Sequence, residues 1–287
     1  MLYYIAKTSL GVEYVKDKIK RGCDGLEIQL LQDWTIKPKE KKEIEKILEN
    51  ANDVVGIHTP LLYSDDNPEW LCNIVTAPYV AEIFELADYC AKKYKHRVYV
   101  LFHNNAPSKW DTERIYPTIK AYLDKYKDVD IVLENITPVR TEAEGLVFAN
   151  GCLTEAHKLV KYYNDKYGEK RFYTCLDTCH LTITNRVAEA LGLTDRTKSL
   201  ETCLEEMKDS LKVIHIADAK NFSFNKGEHG LVIDEEMAKR ILQTIKELKI
   251  EPYLVLEVVE EDYTRSVNFE KELKILKKVE REEHNGL

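Results

Sequence analysis

Seven acids and histidines stand at or near the ends of short apolar runs in this chain. They are His58 in VVGIH, His103 in VYVLFH, Glu134 in DIVLEN, Asp177 and His180 in FYTCLDTCH, His215 in LKVIHI and Glu257 in YLVLEV. Imidazole and carboxylate together suit a borderline divalent ion such as zinc, manganese or cobalt. An acid flanked by Val, Ile and Leu, as Glu134 and Glu257 are, is costly to bury without a partner or an ion. The rival reading is that these groups pair with each other, or with Lys and Arg, and only tie strand ends together. Chance supplies one or two such positions; one on each of six successive runs points to a shared metal site. His229, in the Gly-flanked segment NKGEHGLV, is expected to reach the same place. Cys175 and Cys179 lie around Asp177, and their spacing is not that of a zinc ribbon. Both read as packing groups, with Cys175 sharing the facing of Asp177.

Residues so far apart meet only if the elements carrying them converge. Runs rich in Val, Ile, Leu and Tyr at 2–6, 25–30, 54–58, 98–103, 130–135, 172–177, 211–216 and 253–258 read as buried strands. Amphipathic stretches alternate with them, among them VEYVKDKIKRG, which Gly22 can close, and YVAEIFELADYCAKKYK. Eight such units predict an α/β fold, a closed parallel TIM-type (β/α)8 barrel, with an open doubly wound sheet as the alternative. No G-x-G-x-x-G follows the first strand, and no proline interrupts a proposed strand. One domain is expected over residues 1–280, with 281–287 as a polar tail. In a closed barrel the strand ends share one mouth, where barrel active sites lie.

The chain has 287 residues, 44% apolar and 32% charged, with a formal charge of −8. That is globular composition, with no general attraction to nucleic acid or anionic membrane. No stretch is long and apolar enough for a membrane span, and nothing resembles a signal peptide. The seven cysteines are scattered, and no C-x-x-C occurs. A reducing, cytoplasmic setting with mostly buried thiols is expected.

The same segments resemble the xylose isomerase-like barrel superfamily, which holds sugar and sugar-phosphate isomerases and epimerases as well as type-IV apurinic endonucleases. GIHTPL with His58, LFHNN with His103 and VLENITP with Glu134 and Asn135 resemble its third, fourth and fifth strand segments. CLDTCH, VIHIADAKN, KGEHGLVID and LVLEV continue the likeness to the last strand. The resemblance implies a metal held by Glu134, Asp177, His215 and Glu257. It implies a further position at His58 and His103 with Glu134 as bridge in the endonuclease branch. That branch builds a third from His180 and a loop Asp and His; here the loop DAKNFSFNKGEHG has no Asp-Arg-His segment. LTITNRVAEAL lacks the endonucleases' small Ala-Gly stretch, and LEIQLLQDWTI lacks their DNA-probing pattern. One ion is therefore expected, with two or three under the other branch.

The leading expectation is a metal-dependent sugar or sugar-phosphate isomerase or epimerase acting through an enediolate. Glu134 and Glu257 are the candidate bases, and His180 contacts a substrate hydroxyl. His229, Asn135 and Lys220 are further substrate contacts, and Lys220 or Lys226 would meet a phosphate. The alternative is an endonuclease-like metal-dependent phosphodiesterase, and only then is nucleic acid a partner. The partner otherwise expected is a small carbohydrate; a homo-oligomer stays open and no membrane is involved.

Overall fold

The apolar runs become strands because both faces of each are covered. In the computed structural model, which describes residues 2–9, 11–30, 38–59, 63–64, 67–68, 80–103, 112–141, 145–147, 155–220 and 229–285, eight of them form one sheet. They are β1 (Tyr3–Thr8), β2 (Gly25–Gln29), β3 (Val54–His58), β4 (Val98–His103), β5 (Val129–Glu134), β6 (Phe172–Asp177), β7 (Leu211–Ile216) and β8 (Tyr253–Leu256). Each is hydrogen-bonded to the next, and β1 pairs with β8, so the sheet closes into a parallel barrel. The fold is the single α/β TIM barrel expected from the sequence.

Alternation along each strand divides the side chains. Ile131 and Leu133 of β5 face the helices in the main core. Val132 faces the axis, in a separate cluster with Ile5, Tyr99, Leu101, Val213 and Val255. Glu134 continues the inward parity of Val132 and so emerges above that apolar layer. Register then sets neighbours level with one another. His103 pairs with Glu134 across β4 and β5, and Asp177 with His215 across β6 and β7.

Outside lie α1 (Val12–Lys20), α2 (Pro38–Asn50), α3 (Val80–Tyr94), α4 (Thr112–Lys125), α5 (Glu155–Tyr167), α6 (Thr178–Ala190), α7 (Leu200–Met207), α8 (Glu235–Leu248) and α9 (Val267–Asn285). Helix α3 buries Val80, Ile83, Phe84, Ala87, Cys90 and Ala91, one stripe at helical spacing. Helix α1 ends as expected: Gly22 takes a positive φ of 94° and donates to the Ile19 carbonyl. Helix α9 runs through residues 281–285 because Gln243 and Lys246 of α8 hydrogen-bond Glu283 and stitch that last turn down. Among the described residues no helix is long and apolar enough to cross a membrane.

Candidate metal centre

The strand ends bring the predicted residues together. Ligand atoms of Glu134, Asp177, His215 and Glu257 lie within 4.8 Å of one another, and so do those of His58, His103 and Glu134. Glu134 joins the two groups. Its Oε1 lies 3.2 Å from His215 Nδ1, and its Oε2 lies 3.3 Å from His58 Nε2 and 3.4 Å from His103 Nε2. His215 Nδ1 also meets Glu257 Oε2 at 2.8 Å and Asp177 Oδ2 at 4.0 Å.

One ring nitrogen carries at most one proton, so Nδ1 cannot satisfy three carboxylates. Glu134 Oε2, Asp177 Oδ2, Glu257 Oε2 and His58 Nε2 are buried without a hydrogen bond. Buried anionic oxygens that converge without donors are costly unless a cation joins them. The donor set of carboxylate oxygen and imidazole nitrogen fits a divalent ion.

Local structure aims each group. Asp177 ends β6 and caps α6: its Oδ1 accepts the His180 N–H at 2.6 Å, which leaves Oδ2 for the mouth. Thr178 Oγ1 donates to the Ala217 carbonyl and accepts the Ala217 N–H, locking α6 to the end of β7. His58 directs Nδ1 to the Thr59 carbonyl at 2.8 Å, so Nε2 is the atom that faces Glu134. His180 directs Nδ1 to the Asn135 carbonyl at 2.8 Å. His229 Nε2 stands 4.0 Å from Asp177 Oδ2, with a third of its side chain exposed.

Asn135 and Lys220 stand at the edges of this cluster. The Asn135 side chain is buried, donating to the Asp177 carbonyl and accepting the Asp177 N–H at 2.6 Å. Its amide is thus committed to holding the end of β6. Lys220 is exposed, and Lys226 lies outside the described residues. Cys175 is buried beside His215, and burial pushes its thiol up to about 12. Cys179 packs with Ile183, Val187 and Ala217, although its sulfur also lies near Asp177 and His229.

Two residues here were not anticipated. Lys7 Nζ meets Glu257 Oε1 at 2.5 Å. Burial opposes its charge, but Glu257, Glu134 and Glu27 outweigh that and hold the amine above its ordinary value. Burial likewise opposes ionisation of Glu257, and Lys7 and His215 reverse it, so this carboxyl stays well below the usual range. Glu27 lies against the far side of His215, 3.0 Å from Nε2. Burial disfavours a charged His215, yet Cys175 and the carboxylates of Glu27 and Glu134 hold its pKa well above the usual value. The signal for Glu27 was an acid within an apolar, two-face-buried strand. The signal for Lys7 was hidden one residue past the expected end of β1.

Solved structures share this architecture. One is 3-keto-D-glucoside 4-epimerase YcjR from E. coli, at 12% identity over 97% of this chain and 100% of that one, with a TM-score of 0.56. Another is a D-tagatose 3-epimerase-like protein, at 17% identity over 98% and 97%, with a TM-score of 0.58. A third is an AP endonuclease, family 2, from Brucella melitensis, at 13% identity over 95% and 97%, with a TM-score of 0.58. No curated protein matches the chain. The family model described as xylose isomerase-like TIM barrel matches residues 17–279, from within α1 to within α9. The chain belongs to the xylose isomerase-like TIM barrel family.

Proposed function

We propose that this protein is a divalent-metal-dependent isomerase or epimerase of a sugar or sugar phosphate, working through an enediolate. The observation that carries this reading is the convergence of Glu134, Asp177, His215 and Glu257 with hydrogen-bond-free oxygens at one barrel mouth. The epimerases among the solved structures of this fold support it. These four residues would hold one manganese, zinc or cobalt ion, which when bound polarises a substrate carbonyl.

The protein's own groups then move the proton. Glu134 and Glu257 approach the same His215 nitrogen from β5 and from the end of β8. They can therefore bracket a carbon lying over the site. One carboxylate takes the α-proton, leaving the electron pair in the enediolate. The other returns a proton to the opposite face in an epimerisation, or one carboxylate does both in an aldose–ketose exchange. His180, with Nδ1 fixed on Asn135, offers Nε2 to a substrate hydroxyl. His229 contacts the substrate from the loop side, and Lys220 is an exposed cation available to a phosphate. Asn135 acts by holding Asp177 in place.

The test is metal analysis of the native protein, coupled to solvent deuterium exchange into the α-carbon of a panel of ketoses and their phosphates. One bound ion and labelling of one substrate are expected. No labelling of any sugar, with metal-dependent cleavage of an abasic-site oligonucleotide, would overturn the proposal. That outcome is the second reading, a phosphodiesterase. One observation favours it: His58 and His103 both turn Nε2 toward Glu134 Oε2, a ligand group that one-ion chemistry does not need.

A further inference from the structure

Glu27 takes no part in the proton transfer above, yet it is fully buried on β2 beneath the mouth. Its surroundings explain why an acid is there. His215 has two ring nitrogens, and its neighbours divide them. Nδ1 faces the carboxylates of Glu257, Glu134 and Asp177. Nε2 faces Glu27, 3.0 Å from Oε1 and 3.1 Å from Oε2. Glu27 is held in turn by Tyr99, whose phenol donates to Oε2 at 2.7 Å. The Tyr99 ring occupies the space beside Gly56, where an added Cβ would come 2.1 Å from a ring carbon. Glycine at 56 is what admits the ring that braces Glu27.

An ionised carboxylate only accepts hydrogen bonds, so Nε2 donates to Glu27, whereas the three carboxylates facing Nδ1 are the ones that an ion among them would join to that nitrogen. Fixing the proton on Nε2 leaves the Nδ1 lone pair for an ion, as an outer carboxylate does for a metal-bound histidine. We infer that Glu27, braced by Tyr99, is a positioning residue that holds His215 in the Nε2–H tautomer and makes Nδ1 the metal-ligating atom. The inference rests on the reading that His215 holds a metal. It competes with one other arrangement, because Glu27, His58 and His215 also place ligand atoms within 4.8 Å of one another. An ion there would bind Nε2. Glu27 Oε1 and His58 Nε2 are buried there without a hydrogen bond, but Nε2 of His215 is hydrogen-bonded to Glu27 Oε2, which also accepts from Tyr99, and this favours the hydrogen-bonded arrangement.

The experiment joins nitrogen-15 NMR of the histidine rings with calorimetric zinc titration of the full chain. In the native zinc-loaded protein His215 should show a protonated Nε2 and a metal-shifted Nδ1. In Glu27→Ala that tautomer preference should be lost and zinc affinity should fall about 10–100-fold. Glu27→Gln, a weaker acceptor of the same shape, should give a smaller loss in the same direction. Tyr99→Phe should cost less again. The Gln and Phe variants keep the test decisive if the Ala variant does not fold. A packing role for Glu27 would lower thermal stability without moving the tautomer. Metal on Nε2, or native tautomer and affinity in the Glu27 variants, would overturn the inference. If the native protein binds zinc and the Glu27 variants bind it equally well, only this inference falls. If the native protein binds no divalent ion, the functional reading falls with it.

Discussion

Strand β5 carries two buried acids, Asp130 and Glu134, on the same inward parity, and their surroundings are opposites. Asp130, at the N-terminal end of the barrel, is saturated with cations. Arg97 meets it at 2.9 Å, Arg171 at 3.1 Å and Lys212 at 2.6 Å. Arg171 spends its other donors on the carbonyls of Tyr126 and Val129. Glu134, two repeats of the pleat further up, stands among four imidazoles and the carboxylates of Asp177 and Glu257. Lys7, at that end, is taken by Glu257. One end is complete in charge and hydrogen bonds; the other has acceptors left over. Barrels use the first kind of end for stability and the second for chemistry. What marks a site here is therefore not a buried acid, but several acids converging without enough cations.

The largest effect that could break this contrast is at Glu134 itself. Glu134→Gln, saturated with metal, should exchange the substrate α-proton about 10²–10⁴-fold more slowly while unfolding at the native urea concentration. Unchanged exchange would remove Glu134 from the proton path. Next is the opposite end. Asp130→Ala strands Arg171 and Lys212 beneath the barrel and should cost about 3–5 kcal/mol of stability by urea denaturation. Its metal content per folded molecule should stay native; a parallel loss of metal would mean the two ends are not independent.

A smaller effect sharpens the claim that the mouth is short of cations. Asp177→Asn keeps an N-cap acceptor for α6 and removes one of the crowded carboxylates. It should lower metal affinity by about 100-fold, read by competition with a chelator, yet leave metal-free stability equal or slightly raised. Asp177→Ala would mix in the loss of the cap, about 1 kcal/mol, so the Asn variant is the cleaner probe. A clear drop in metal-free stability for Asp177→Asn would show that the cluster is satisfied as it stands.

The barrel was legible because parallel strands buried on both faces leave a plain mark, near-continuous Val, Ile and Leu. The site was legible where a His or acid closed such a run, as at His58, Glu134 and His215. It was illegible where parity mattered more than position. Glu27 sits mid-run in GLEIQL, and only the barrel's closure shows that it points at His215, most of the chain away in sequence. Lys7 was missed because β1 runs to Thr8 rather than stopping at Ala6. The partner of the Asn135 amide, the main chain of Asp177, appears only when β5 and β6 stand together. Helices α6 and α7 were not separately visible. Helix α6 carries three Thr with Ile183 and Val187, poor helix formers, and is started by the Asp177 cap; α7 is a short helix begun by the Ser199 cap.

The smallest effect concerns a buried acid that belongs to neither end. Glu272 of α9 is fully buried, and its carboxyl finds little more than the Ile233 backbone amide, whereas nearby Glu260 accepts N–H groups from both Asn268 and Phe269. No group of convergent metal-ligating atoms among the described residues includes Glu272. By the contrast drawn from β5, a lone orphan of this kind should titrate rather than bind an ion. Burial pushes its carboxyl well above the ordinary range, and the charges of Asp218, Glu257 and Glu260 push the same way. The folded state therefore keeps this proton where the unfolded chain has lost it, and stability falls as pH rises from the ordinary carboxylate range toward the raised value. Glu272→Gln removes that titration. It should match the native protein near pH 4 and become the more stable of the two by about 1–2 kcal/mol near pH 8, measured by urea denaturation of metal-free protein at each pH. Its metal affinity should be native. A variant that is equally stable at both pH values would show that Glu272 is ionised and partnered in the fold, and one that loses metal would extend the site to α9.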